Sequence, residues 1–353
     1  MPTERFKEMQ SLLDRSKFFK LVCGAGNENA EEVKRLTVLY TLAGAKGMDV
    51  SANVDVVKSC MEGIDYAFDI AKKFHAKLST RPFITVSIGM PGDHHVRKAQ
   101  IHSGICIKCR QCISVCPTSA ISADLLIKRE KCIGCGHCSA ICPKDGAITF
   151  VHNEKALHDI LPKCMKAGAE QIELHAAVPD EGSILDEWKL VNEINKNNHV
   201  SMCLDRLHLS NFALEERVKK AKKIAGERLV IQADGYPMSG GKNDFNTTLQ
   251  AIATADVINK KFNMEIDRKT KTLVYKAKRE VNILLSGGTN FLTSILAKQT
   301  NVSFQGVSLG TFARQLAKGP LNVNNFYNDI GAIKQGYLTA KKLVTANIGE
   351  INE

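Results

Sequence analysis

Eight of the twelve cysteines in this 353-residue chain fall between positions 106 and 142. They repeat one spacing: Cys106-x2-Cys109-x2-Cys112-x3-Cys116-Pro117, then Cys132-x2-Cys135-x2-Cys138-x3-Cys142-Pro143. Each cysteine of the second run lies 26 residues after its counterpart, and both runs lead to an Ala-Ile pair, Ala120-Ile121 and Ala147-Ile148. The N-terminal residues are too charged for a signal peptide, and no stretch approaches the ~18 apolar residues of a membrane span. A cytoplasmic protein without a transmembrane segment is therefore expected, and in a reducing compartment clustered thiols are ligands rather than disulfides. Zinc favours two CxxC pairs separated by a longer loop; three cysteines in x2 steps followed by a CxxxCP tail depart from that pattern.

This spacing is that of bacterial ferredoxins, in which the fourth cysteine of each run ligates the other run's cluster. The expectation is two [4Fe-4S] clusters, one held by Cys106, Cys109, Cys112 and Cys142, the other by Cys132, Cys135, Cys138 and Cys116. The x2 steps wrap a cubane while turning backbone N–H groups toward its sulfurs, and the proline stops the short helix before the remote ligand. Residues 95–150 are read as a 2[4Fe-4S] ferredoxin-like insertion. They contain eight Lys/Arg against three acids. That balance suits docking of an acidic redox partner, a ferredoxin or flavodoxin, or a place in a larger oxidoreductase complex.

The flanking segments, 1–94 and 151–353, alternate short apolar runs with helical patterns. The runs are 18–26, 47–52, 83–89, 171–177, 200–206, 228–235, 281–288 and 304–310, with a last helix over 328–346. At roughly 150 residues per domain the length allows two domains or one large domain carrying an insertion. Eight βα units predict an α/β fold, a TIM-type (β/α)8 barrel interrupted after its third strand, in preference to an open doubly wound sheet. The alternating segment 264–278 reads as a surface hairpin.

In such barrels chemistry sits at the C-terminal ends of the strands. The candidate catalytic residues there are Cys23, Asp49, His175 and Asp205, for acid–base or thiolate chemistry. Nearby strand ends carry Ser51, Ser87, Asp93-His94-His95, Glu173, Cys203, Gln232, Asp234 and Met238-Ser239-Gly240-Gly241. Strands seven and eight end in glycine-rich segments. Ser286, Gly287, Gly288, Thr289, Gly310 and Thr311 are the candidate binders of a phosphate-bearing ligand such as FMN, with tight turns as the competing reading. Arg314 follows as a further source of charge.

Formal charge is +11, from 48 Lys+Arg against 37 Asp+Glu. The basic residues are spread without interleaved aromatics, so no nucleic-acid partner is expected. The segments Phe19–Ala25, Leu39–Ala45 and Met48–Ala52 resemble the N-terminal region of the cyanobacterial light-dependent-period (LdpA) family. The order of the two-cluster region, Gln232-Ala233-Asp234-Gly235, Pro237-Met238-Ser239-Gly240, Leu285–Asn290 and Gly310-Thr311 is similar too. The resemblance implies an iron–sulfur protein, redox sensing and a link to a circadian clock; both cysteine runs here are regular, whereas the family's first run is less so. Two function classes follow: an iron–sulfur oxidoreductase with a ligand site at the barrel mouth, or a redox-sensing or electron-carrier subunit whose barrel is a docking scaffold.

Overall fold

A computed structural model describes residues 3–90, 97–152, 157–236 and 244–349. The Asp93–His95 and Met238–Gly241 strand-end candidates lie outside these residues. In chain order the elements begin α1 (Glu4–Asp14), β1 (Phe18–Val22), α2 (Ala30–Leu42), β2 (Gly47–Ser51), α3 (Val54–Ile70) and β3 (Phe83–Gly89). A small unit follows: β4 (Arg97–Ile101), α4 (Gln111–Ser114), α5 (His137–Ala140) and β5 (Ile148–His152). The alternation then resumes with α6 (Leu157–Lys166), β6 (Gln171–His175), α7 (Glu181–Ile194), β7 (Val200–Leu204), α8 (Asn211–Ala225) and β8 (Leu229–Asp234). The chain closes with α9 (Asp244–Ile258), β9 (Met264–Ile266), β10 (Leu273–Tyr275), β11 (Asn282–Ser286), α10 (Thr293–Gln299), β12 (Gly306–Leu309), α11 (Thr311–Leu321) and α12 (Ile330–Ile348).

Eight parallel strands close on themselves in the order β1-β12-β11-β8-β7-β6-β3-β2, which is the (β/α)8 barrel. Their near-continuous apolar composition follows from burial on both faces, inside the barrel and under the helices. Helix starts are written locally: Asn29, Asn53, Asp180 and Ser210 each turn a side-chain oxygen onto a free N–H of the following first turn. At the N-terminal end of the barrel, Met9, Leu12 and Leu13 of α1 pack on Phe18, Phe83, Val230 and Leu284 as a plug. This leaves the C-terminal end as the open one.

β3 pairs directly with β6, Ser87 opposite Glu173 and Gly89 opposite His175, so the small unit leaves the barrel ladder unbroken. β4 and β5 pair with each other as a separate antiparallel ribbon. Because β3 runs toward the C-terminal end, a segment inserted after it emerges over the barrel mouth. β9 and β10 form the antiparallel hairpin read from the sequence between α9 and β11.

Candidate functional site

The two cysteine runs share one backbone conformation. Lys108 and Arg110 have φ of 56° and 63°, and their counterparts 26 residues on, Gly134 and Gly136, have 70° and 89°. Backbone amides point at the sulfurs: left-handed Lys108 donates its N–H to Cys106 Sγ at 3.4 Å, Ala120 N–H donates to Cys116 Sγ at 3.2 Å and Ala99 N–H of β4 to Cys132 Sγ at 3.3 Å. The short helices α4 and α5 stop just before Cys116-Pro117 and Cys142-Pro143, since a residue before proline avoids helical geometry.

The thiols sort into two sets that cross between the runs. Burial pushes the Cys112 thiol up, and Cys106, Cys109 and Cys142 push it further. Burial raises Cys138 to about 12, with Cys135, Cys132 and Cys116 adding to the effect. The second set, Cys116, Cys132, Cys135 and Cys138, lines one cavity together with Ala99, Ala120, Ile121, Ile127 and Phe150. Residues, cavity and N–H donors therefore fit an iron–sulfur group. The first set lies nearer solvent, with Cys109 exposed.

Lys98 ties this unit to the barrel. Fully buried, it donates to the carbonyls of Gly26, Arg129 (2.8 Å) and Cys132 (2.9 Å), while Glu28 N–H meets the Glu130 carbonyl at 2.8 Å. One of the basic residues counted toward partner docking is thus internal: its ammonium satisfies loop carbonyls instead of facing solvent. Arg97 lies over the Phe150 ring at 4.0 Å and donates to the Gly134 carbonyl.

Inside the barrel a polar network centres on Glu173 and Lys20. Lys20 Nζ lies 2.5 Å from Glu173 Oε2 and 3.1 Å from Asp49 Oδ2, and all three are buried. Ser201 donates to Glu173 Oε2 at 2.7 Å, Gln232 Nε2 to Glu173 Oε1 at 2.9 Å, and Ser87 to Asp49. Burial alone would raise the Glu173 pKa, but Lys20, His175 and the hydrogen bonds hold it below the usual range. Asp49 moves the other way, because burial and the Glu173 charge outweigh Lys20. Lys20 was not among the residues singled out in the sequence, although a lone lysine in Phe18-Phe19-Lys20-Leu21-Val22 was a readable signal.

The remaining candidates separate. His175 lines the barrel-mouth cavity, its Nε2 3.6 Å from Glu173 Oε1. Cys23 is fully buried in the core; burial and then Cys60 raise its thiol well above the ordinary value, and its carbonyl accepts from Arg314 at 2.6 Å. Asp205 is buried and Oδ1 accepts from Leu207 N–H at 2.8 Å, closing the turn after β7. Asp49 belongs to the Lys20 network.

The six glycine-rich strand-end residues, Ser286, Gly287, Gly288, Thr289, Gly310 and Thr311, line one cavity at the C-terminal end of the barrel, together with His175, Gln232 and Asp234. Local folding explains part of the glycine pattern. Gly288 has φ +63°, and a Cβ there would stand 2.2 Å from Thr247 Cγ2. Thr289 spends its hydroxyl on the Ser308 carbonyl at 2.6 Å, and Arg314 is buried against Glu32 at 2.5 Å. Gly310 and Thr311 open α11, whose N-terminus faces the cavity. Ile133 and Cys135 also line this cavity, so Cys135 lines both it and the smaller thiol-lined one. Sequence spacing carried no sign of that shared wall.

A family model described as the LdpA Fe-S cluster-binding domain matches residues 106–153. Light dependent period A of Synechococcus elongatus is 29% identical over 230 residues, 65% of this chain and 63% of that protein. The chain thus spans about 63% of the length of this curated relative. Among solved structures, the YdjI aldolase from Escherichia coli K12 is similar with TM-score 0.46 and 8% identity, covering 97% of this chain and 94% of that one. An aldolase named QR15 has TM-score 0.43 and 10% identity over 84% and 90%. No helix among the described residues is long and apolar enough to cross a membrane. The matched family model falls on the same cysteine frame that folds around the thiol-lined cavity, so residues 106–153 are similar to an LdpA-type iron–sulfur cluster-binding domain.

Proposed function

We propose that the protein binds two [4Fe-4S] clusters, at Cys106, Cys109, Cys112 and Cys142 and at Cys116, Cys132, Cys135 and Cys138, and acts as an electron-transfer oxidoreductase on a phosphate-bearing ligand, FMN or a similar compound, at the barrel mouth. When bound, such clusters supply one-electron transfer. The observation that carries the reading is the position of Cys135, which lines both the cluster cavity and the barrel-mouth cavity. The chain's own residues prepare each end. Cys109 lies exposed beside exposed Ile105 and Ile107, the face on which an acidic ferredoxin or flavodoxin would dock. Ile133 and Phe150 keep water from the inner thiols. At the far side, the N-terminus of α11 offers backbone N–H groups and a positive dipole end to a phosphate.

A second reading, a redox-sensing subunit with the barrel as scaffold, draws support from the state of the interior acids and thiol: Lys20 engages both Asp49 and Glu173, and Cys23 is sealed in the core. The two separate on one substitution. Thr311→Glu places a carboxylate on the first residue of α11, where it suits the helix dipole and should fold. Anaerobic protein should contain iron, sulfide and a flavin or phosphate compound, and Thr311→Glu should weaken FMN binding by about tenfold or more through charge repulsion. Wild-type protein that neither retains nor binds FMN or inorganic phosphate would replace the oxidoreductase reading by the sensor.

A further inference from the structure

Beneath the barrel-mouth cavity, Glu173, His175 and Cys203 present a carboxylate oxygen, a ring nitrogen and a sulfur all within 4.8 Å of one another, and all three residues are buried. They come from adjacent strands β6 and β7, in which His175 is directly opposite Cys203. We propose that these residues form a mononuclear site for a divalent cation of the zinc class, separate from the iron–sulfur clusters, with its open coordination position facing the cavity.

The donor set suits such an ion, which takes mixed sulfur, nitrogen and oxygen ligands. Bonds of about 2.1 Å in a tetrahedron put neighbouring donors about 3.4 Å apart, and His175 Nε2 stands 3.6 Å from Glu173 Oε1. Asp234 adds a carboxylate at the edge, its Oδ2 accepting a hydrogen bond from the Cys203 thiol at 3.0 Å. Lys20 does not occupy the place, because it approaches Oε2 of Glu173, the oxygen turned away from His175. Oε1 accepts from Gln232 and keeps a second lone pair.

Gln232, 1% exposed and lining the cavity, has an Oε1 with no hydrogen-bond partner. On binding, Cys203 loses its thiol proton to solvent and the thiolate takes the metal. His175, Gln232 and Asp234 line the open cavity, which supplies the access route. A metal there would polarise a carbonyl or phosphoryl oxygen of whatever the cavity holds.

The test uses full-length protein with its clusters intact, as checked by iron and sulfide content. After incubation with Zn2+ or Co2+ and removal of excess, the wild type should keep about one equivalent, and X-ray absorption at the zinc or cobalt edge should show one sulfur at about 2.3 Å with nitrogen and oxygen neighbours. Cys203→Ser and His175→Gln should each weaken retention by well over about 100-fold, beyond the 10–100-fold that loss of an outer hydrogen-bond partner costs, while Cys60→Ser should leave it unchanged. Four sulfurs around the metal would place it in cluster cysteines and overturn the proposal. So would failure of the wild type to retain metal while iron and sulfide remain at full content, an outcome that leaves the cluster reading standing.

Discussion

The Cys112 thiol feels the charge of Cys142, which belongs to the other cysteine run, while Cys116, on Cys112's own run, lines a cavity with Cys135. The crossing follows from the chain path: each short helix ends before its Cys-Pro pair and hands the fourth thiol across to the opposite loop. Serine at Cys112 or at Cys116 should therefore damage different clusters. Iron should fall from about eight to about four per chain in each variant, with different EPR signals surviving. Loss of the same signal in both would refute the crossed assignment.

The two runs differ where their backbones coincide. Arg110 holds a left-handed φ of 63°, and Gly136 holds the equivalent position at 89°. A Cβ in that region costs on the order of 1 kcal/mol. Arg110→Gly is expected to slow loss of the visible cluster absorbance on heating. Gly136→Ala should hasten it, because its Cβ would also stand 3.2 Å from Arg97 Nη2.

Partner docking should depend on ionic strength. Lys108, Arg110 and Lys144 are exposed close in sequence to Cys109 and Cys142, and charge steering fades as the Debye length shrinks to about 8 Å at physiological salt. Reduction by an acidic ferredoxin or flavodoxin should slow as salt rises, and Lys108→Glu should slow it at low salt. Lys98→Gln should instead loosen the insertion from the barrel, because that lysine is internal. A stopped-flow rate indifferent to salt would remove the acidic partner.

At the closed end of the barrel, the His199 ring stacks on Phe6 at 4.2 Å, and its Nε2 stands 3.0 Å from Gln10 Oε1. Burial, and then the Arg228 charge, lower its pKa from 6.5 to about 3. The unfolded chain therefore takes up the proton first. The stability contributed by neutral His199 is complete above about pH 6.5 and is lost as pH falls toward about 3, by up to ~1.4 kcal/mol per pH unit. His199→Gln should flatten the dependence of the urea midpoint between about pH 6.5 and 5; an unchanged slope would mean that other groups set it.

The cysteine repeat and the barrel were legible in the sequence for the same reason: both are periodic. Thiolate spacing is local chemistry, and eight βα units each write their own strand, helix and cap, as Asn29, Asn53 and Ser210 do. The glycine-rich ends of the last two barrel strands were also placed at one site, because parallel strands bring their C-terminal ends to one rim. What the order of residues did not disclose was how individual side chains spend their interactions. Cys23, a strand-end thiol like Cys203, is sealed in the core, Lys98 serves loop carbonyls, and Lys20 holds two carboxylates contributed by different strands. The glycines at 287 and 288 answer first to neighbouring backbone and Thr247. Those outcomes depend on distances between segments far apart in the chain, where burial makes each polar group take whatever partner closure of the barrel brings to it. Closure of the barrel and the docking of the insertion at its mouth put Cys135 in the lining of one cavity with the ends of β11 and β12.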